Sequence, residues 1–187
     1  MEKNTKDKIR KEILGIRNSM SDEDILVKSN LIFKKLTDMD LYKNADDVLI
    51  YASMGSEVRT DEIIEDALNN GKNVFCPKCT DTANGVMEFV KISGLDQLVK
   101  GYYGIREPVM DEQSVVFSSG NALMIMPLVA FDDQNNRIGY KGGYYDRYLE
   151  KHRHLSTCAL AFSVQKSADL IPAEVHDIKP EIIITEL

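Results

Sequence analysis

The segment RIGYKGGYYDRYL, Arg137 to Leu149, crowds glycines, tyrosines and alternating charges into a space too short for a core element. Gly139, Gly142 and Gly143 have no Cβ, so backbone N–H groups there can close on phosphate oxygens. A helix starting directly behind them adds the partial positive charge of its N-terminus. Arg137 and Lys141 bring full charges to the same place. Tyr144 and Tyr145 offer ring faces to a heteroaromatic ligand, and Asp146 offers hard oxygen to Mg²⁺ beside the phosphates. The spacing is neither that of the P-loop nor that of the dinucleotide-binding GxGxxG. The plainer alternative is a flexible turn before an amphipathic helix whose tyrosines face a core.

Such a loop needs rigid elements around it, and the rest of the chain alternates short apolar runs with helical stretches. Ile9, Ile13, Ile16 and Met20 fall on one helical stripe, and Ile25, Ile32 and Leu36 form a second after the break at SMSDED. Ser21 followed by Asp24 resembles a capping box. VLIYA (48–52) reads as a buried strand. TDEIIEDALNNG (60–71) reads as a helix with Thr60 as N-cap and Gly71 as stop signal. NVFCP, MEFVKI, ALMIMPL, TCALAF and EIIIT read as further strands. The alternation predicts an α/β fold: a single three-layer domain over residues 1–187, with a mainly parallel central sheet and helices on both faces. Ligands then gather at the carboxyl ends of the strands, in loops 52–60, 127–143 and 162–177.

The totals narrow the function. With 187 residues and 43% apolar content the chain can bury a real core. No apolar run approaches a membrane span and MEKNTKDKIRKEIL is polar, so the expectation is a soluble cytoplasmic protein without a membrane partner. Three cysteines make a disulfide framework unexpected. CPKC (76–79) has half a zinc site's spacing with no second pair to complete it, and Cys76 is read as a strand residue. His152 and His154 follow a helix end and carry no assigned chemistry; His176 adjoins Asp177. A net charge of −7 argues against nucleic acid, so attraction for an anionic ligand must be built locally.

MPLVAFDDQNNRIGYKGGYYDRYL resembles the signature region of the 5-formyltetrahydrofolate cyclo-ligase family, also called methenyltetrahydrofolate synthetases. KDKIR, YASMGSEVRTDEII, YYGIREP and EVHDIKPEIIITE agree in order, so the resemblance spans essentially the whole chain. It implies an ATP- and Mg²⁺-dependent ring closure of 5-formyltetrahydrofolate by a monomer or weak homo-oligomer. Lys6 and Arg10 match the family's Lys-x-x-x-Arg that reaches the ATP phosphates; periodicity alone reads them as solvated charge, with Arg17 on the same border left structural. The resemblance further implies ATP contacts at Arg137, Gly139, Tyr140, Lys141, Gly142, Gly143, Tyr144 and Tyr145. Arg137, Lys141 and Tyr144 would stand at the reacting centre. Glu57 matches the folate-contacting glutamate, Ala52 a second folate position, and Tyr144 the junction of the two ligands. Asp177, by itself an Asx-turn former, joins Asp146 as a Mg²⁺ ligand.

Two departures stand out. Lys141 occupies a position where the family loop usually has glycine, which removes the licence for positive φ. Arg59 replaces a residue more often acidic. The rival readings are a non-catalytic nucleotide- or folate-binding homologue, a sugar-phosphate isomerase that needs no ATP, and an interaction module.

Overall fold

The computed structural model describes residues 2–101 and 104–187, with side chains from residue 5 onward. Tyr102 and Tyr103 of YYGIREP lie outside the described residues. Helices α1 (Glu2–Asn18), α2 (Asp22–Asp38) and α3 (Asp40–Lys43) lead to strand β1 (Asp47–Ile50). Then come α4 (Asp61–Asn69), β2 (Asn73–Asp81), β3 (Val86–Ile92), β4 (Leu98–Lys100) and β5 (Arg106–Pro108). The chain continues with β6 (Ala122–Pro127), β7 (Ala130–Phe131), β8 (Arg137–Ile138), α5 (Tyr144–Lys151), β9 (Ser156–Leu160) and β10 (Ile182–Ile184).

Among the described residues, six strands pair in the order β10-β9-β6-β1-β2-β3. All pairs are parallel except β2–β3. The apolar runs of β1 and β6 lack polar alternation because both faces are covered. Val48, Ile50, Val74, Leu123 and Ile125 pack with α2, α3 and α4, while Leu49, Phe75, Met124 and Met126 pack with α5. Each fully buried aliphatic side chain contributes roughly 1.5–3 kcal/mol. A one-residue slip of register would exchange the two sets, so both faces fix it together.

From β1 the chain moves outward through α4 to β2; from β6 it moves the other way through α5 to β9. The strand order therefore reverses between β1 and β6. The crevice beyond their carboxyl ends is where such sheets take ligands. Gly71, at φ +74, closes α4 as its position in the sequence predicts.

The docked face of α1 differs from the sequence reading, whereas Cys76 is a strand residue as expected. Helix α1 lies over the segment that follows β6, packing Ile9, Ile13 and Leu14 against Val129, Ala130, Ile138 and Ile171. Ile16, expected in that stripe, is 43% exposed, whereas Arg17 is 1% exposed. Arg17 sits four residues after Ile13 and thus takes the next turn of the docked face. Cys76 and Cys79, three residues apart on β2, point to opposite sides of the sheet. Cys76 is buried among the α2–α4 contacts and Cys79 half-buried.

Candidate active site

The loop after β1 is a closed ring. The Thr60 hydroxyl donates to the Tyr51 carbonyl at 2.8 Å and accepts from the Ser53 N–H at 2.9 Å. The Thr60 N–H donates to the Ser53 hydroxyl at 3.3 Å. Thr60 occupies the N-cap of α4, as expected, yet makes no side-chain cap bond, because its hydroxyl is spent on this ring. Arg59 folds back to donate to the Gly55 carbonyl at 2.9 Å.

Inside the ring Ala52 is buried, and so is Glu57, at 7% exposure, in place of the solvated carboxylate that a loop position would suggest. Glu57 Oε2 accepts from the Met54 N–H at 2.8 Å. Burial pushes its carboxyl up to about 7, against the opposing effects of that N–H, Arg17 and Arg59. Burial first, and the same carboxylate second, raise the phenols of Tyr51, Tyr140 and Tyr145. Glu57 therefore lies within electrostatic reach of Tyr140 and Tyr145.

Beyond β6, the polar turn DDQNN closes a small hairpin of β7 and β8. Asp132, 2% exposed, is its hub: Oδ1 accepts from the N–H groups of Gln134 and Asn136, and Oδ2 from Asn136 Nδ2 and the Ile171 N–H. Asn135 takes a left-handed φ of 58 in the turn. Gln165 ties the base of the hairpin to the loop after β9 by donating to the Leu128 and Val129 carbonyls at 2.8 and 3.0 Å. The hairpin delivers Arg137. Its Nη2 donates to Asp146 Oδ1 at 2.6 Å and its Nε to the Ile178 carbonyl at 3.1 Å.

Gly142 (φ +89) and Gly143 (φ +61) then turn the chain into α5. A Cβ at Gly142 would meet the Tyr144 ring at 2.7 Å, so glycine is required there twice over. Among the described residues Asn135 alone is a non-glycine with positive φ, so Lys141 rests in an ordinary conformation and the loop needs no glycine at that position. The Lys141 side chain is 73% exposed, 3.7 Å from Asp7. Tyr144 hydrogen-bonds with Cys79 and lies under Arg147, and Tyr145 sets its ring edge-on to Phe89 at 6.4 Å.

Helix α1 brings its cations to the same place. Lys6 Nζ donates to Asp177 Oδ2 at 2.5 Å and lies 3.3 Å from Glu174. Arg10 donates from Nε to the Gly139 carbonyl at 2.9 Å and pairs with Asp7. Burial would raise the Asp177 carboxyl, but the Glu174 N–H and the Lys6 ammonium outweigh it and hold the group below its usual range. The Ile178 N–H donates to Asp146 Oδ1 at 3.0 Å, which draws Asp146 to within one residue of Asp177.

Arg10 thus touches the 139–143 backbone directly, Arg137 and Asp146 flank it in sequence, and Lys6 with Asp177 joins them next to Ile178, with Ala52 and Glu57 in the loop after β1. Lys141 points outward. His176 approaches Glu174 at 3.1 Å, and His152 stacks on Tyr148 at 4.2 Å, in the layer beneath. A cavity of about 230 Å³ at the opposite end of the sheet, lined in part by Asn44, Asn121 and Ser156, holds none of these groups.

Asp146 and Asp177 are hard oxygen donors of the kind a divalent cation takes. Each engages one oxygen with a basic side chain and a backbone N–H: Asp146 with Arg137 and Ile178, Asp177 with Lys6 and Glu174. Mg²⁺ takes one or two carboxylates and fills its shell with phosphate oxygens and water. Among the described residues no group of three or more His, Cys, Asp or Glu is placed to hold a metal alone, so such an ion would enter with phosphate.

Sequence reasoning left Arg17 structural without foreseeing its burial, and missed Asp132 and Gln165. Arg17 was findable from its i+4 spacing to Ile13, and Asp132 from the Asx-turn character of DDQNN. Gln165 carries no local signal.

An open, mainly parallel α/β sheet whose glycine loop and buried carboxylate meet at its switch point defines the class: a doubly wound α/β protein with its polar loops gathered beyond the strand ends. Residues 2–186 match the profile of the 5-formyltetrahydrofolate cyclo-ligase family, and the chain belongs to that family. The 5-formyltetrahydrofolate cyclo-ligase of Mus musculus is 30% identical over 95% of this chain and 92% of its own length. That of Escherichia coli K12 is 30% identical over 74% of this chain and 76% of its own. The solution structure of Aquifex aeolicus 5,10-methenyltetrahydrofolate synthetase superposes with a TM-score of 0.81 at 27% identity, covering 97% of this chain and 89% of that one. A Mycoplasma pneumoniae 5,10-methenyltetrahydrofolate synthetase shares the fold, with a TM-score of 0.75 at 24% identity over 97% of this chain and 99% of that one.

Proposed function

We propose that the protein converts 5-formyltetrahydrofolate and ATP to 5,10-methenyltetrahydrofolate, ADP and phosphate. The observation that carries the reading is the meeting of Lys6, Arg10 and Arg137 around the Gly139–Gly143 backbone, directly beside the loop that buries Glu57. The chemical obstacle is a stable N-formyl amide whose oxygen leaves poorly. The formyl oxygen attacks the γ-phosphorus, the bond from phosphorus to the ADP oxygen breaks, and an imino-phosphate results. N10 then attacks the formyl carbon, loses its proton, and expels phosphate carrying the former formyl oxygen.

The protein's part is alignment and charge. The N–H groups of residues 139–143 and the side chains of Lys6, Arg10 and Arg137 bind the phosphates, with Tyr140 and Tyr145 beside them. Glu57 accepts from the donor edge of the pterin, Ala52 lets that ring approach, and Tyr144 lies between the two reactants. Arg137 balances charge on the transferring group, while Lys141, pointing outward, adds only a solvated charge at the rim. Asp146 and Asp177 would hold Mg²⁺, which neutralises phosphate charge when bound. Lys6 and Arg137 pair with these same aspartates, so binding of phosphate and metal would exchange partners without leaving a charge bare. This proposal includes one domain over residues 1–187, a cytoplasmic location and a monomer or weak homo-oligomer. Among the described residues no helix is long and apolar enough to cross a membrane.

The route of the oxygen is the test. With ¹⁸O in the formyl group, the released phosphate should carry one ¹⁸O per turnover. Unlabelled phosphate accompanied by methenyl product would rule out phosphorylation at that oxygen.

A further inference from the structure

Arg17 is a buried guanidinium that the phosphate cradle does not use. It is 1% exposed and reaches three separate segments. Its Nε donates to the Ser56 hydroxyl at 3.0 Å, in the ring beside Glu57. Its Nη1 donates to the Leu128 carbonyl at 3.3 Å, just past β6. Its Nη2 donates to the Tyr140 hydroxyl in the glycine segment, with the guanidinium carbon 5.4 Å from that ring's centre. A buried charge is retained only where hydrogen bonds satisfy it. Here the partners come from the two loops that carry opposite halves of the reaction.

We infer that Arg17 is a positioning residue that locks the glycine segment to the Glu57 ring and keeps Glu57 an acceptor for the substrate's donor edge. The inference rests on the proposed role of Glu57. The groups facing that carboxylate are the Met54 N–H, Arg17, Arg59 and the phenols of Tyr51, Tyr140 and Tyr145. Arg17 and Arg59 are the cations among them. Arg59 sits on the outer side, donating to Gly55. Removing Arg17 leaves Glu57 protonated to higher pH and frees Tyr140 from the ring at the same time.

The test compares wild type, Arg17→Met, Arg17→Lys and Ser56→Ala, following 5-formyltetrahydrofolate binding by calorimetry from pH 5.5 to 8.5, without nucleotide. For Arg17→Met we expect about fivefold weaker binding at pH 7, with the midpoint of the pH profile moved up by about one unit. Arg17→Lys should bring the midpoint back while kcat stays lowered, because the ammonium keeps the charge and loses the fork. Ser56→Ala removes the bond from Arg17 and the hydroxyl's own bond to Asn18, and no charge, so it should weaken binding without moving the midpoint; it also serves if Arg17→Met fails to fold. A midpoint in folded Arg17→Met equal to that of wild type would overturn the inference, as would a shifted midpoint in Ser56→Ala. Wild-type protein that neither binds nor turns over 5-formyltetrahydrofolate would instead remove the proposed function on which the inference rests.

Discussion

At the scale of single residues, side chains of one chemical type do opposite things according to what surrounds them. Lys6 and Lys141 are both lysines of the glycine-loop region, but Lys6 is fixed on Asp177 while Lys141 is mostly solvated. Lys141→Gly should therefore keep kcat/KM within about threefold of wild type in a steady-state assay, whereas a loss beyond about tenfold would show that its charge is recruited. Asp146→Asn keeps the volume but removes the charge that faces the buried Arg137, so the protein should melt lower than wild type and lose its Mg²⁺-dependent turnover; full activity would remove Asp146 as a metal ligand. Glu57 carries a stability consequence. Its carboxyl is raised from 4.5 to about 7, so between those values the native state holds the proton more often than the unfolded chain does. Native stability therefore falls as pH rises through that window. Glu57→Gln should be more stable than wild type at pH 8, on the order of 3 kcal/mol, with the gain vanishing near pH 4.5. Denaturant titrations at the two pH values check this, and an equal gain at both would contradict it. Glu57 was legible in the sequence as a site residue, but its burial was not, since burial depends on a ring closed by Thr60, Ser53 and Tyr51.

At the scale of elements, two short loops are made rigid by side chains bonding to backbone, and that rigidity gives the site its geometry. Asp132 accepts four hydrogen bonds and thereby fixes the hairpin that presents Arg137. Asp132→Ala would leave several buried N–H groups without acceptors, at about 1–3 kcal/mol each. We expect a loss of roughly 3 kcal/mol or more in denaturant unfolding, with a raised KM for ATP in the surviving protein. A loss below about 1 kcal/mol would show that the hairpin holds without it. The six strands of the main sheet and the helices α2, α4 and α5 were legible because they carry apolar runs or apolar stripes, whereas the two- and three-residue strands β4, β5, β7 and β8 are too short to show a period. The face of α1 was misread at one turn. Periodicity assigned Ile16 to the core, but the surface that α1 covers is the mixed segment after β6, where the carbonyl of Leu128 and the hydroxyl of Tyr140 favour Arg17.

At the scale of the molecule, a doubly wound sheet places two loops that are distant in sequence at one switch point, and helix α1 closes over them. This geometry explains how a chain of net charge −7 handles an anionic co-substrate: its useful cations lie where phosphate would bind, paired with the aspartates that would receive the metal. Glycines, tyrosines and acids at strand ends made the site region legible, since loops beyond carboxyl ends are few. The link between the two loops was not, because it runs through one buried side chain from the far end of α1. The most direct test mixes the purified protein with 5-formyltetrahydrofolate, ATP and Mg²⁺ and follows the near-ultraviolet absorption of the methenyl product. The band should appear in the complete mixture and fail to appear when either ATP or Mg²⁺ is omitted. Folded protein that binds ATP and gives no band in the complete mixture would contradict the catalytic reading.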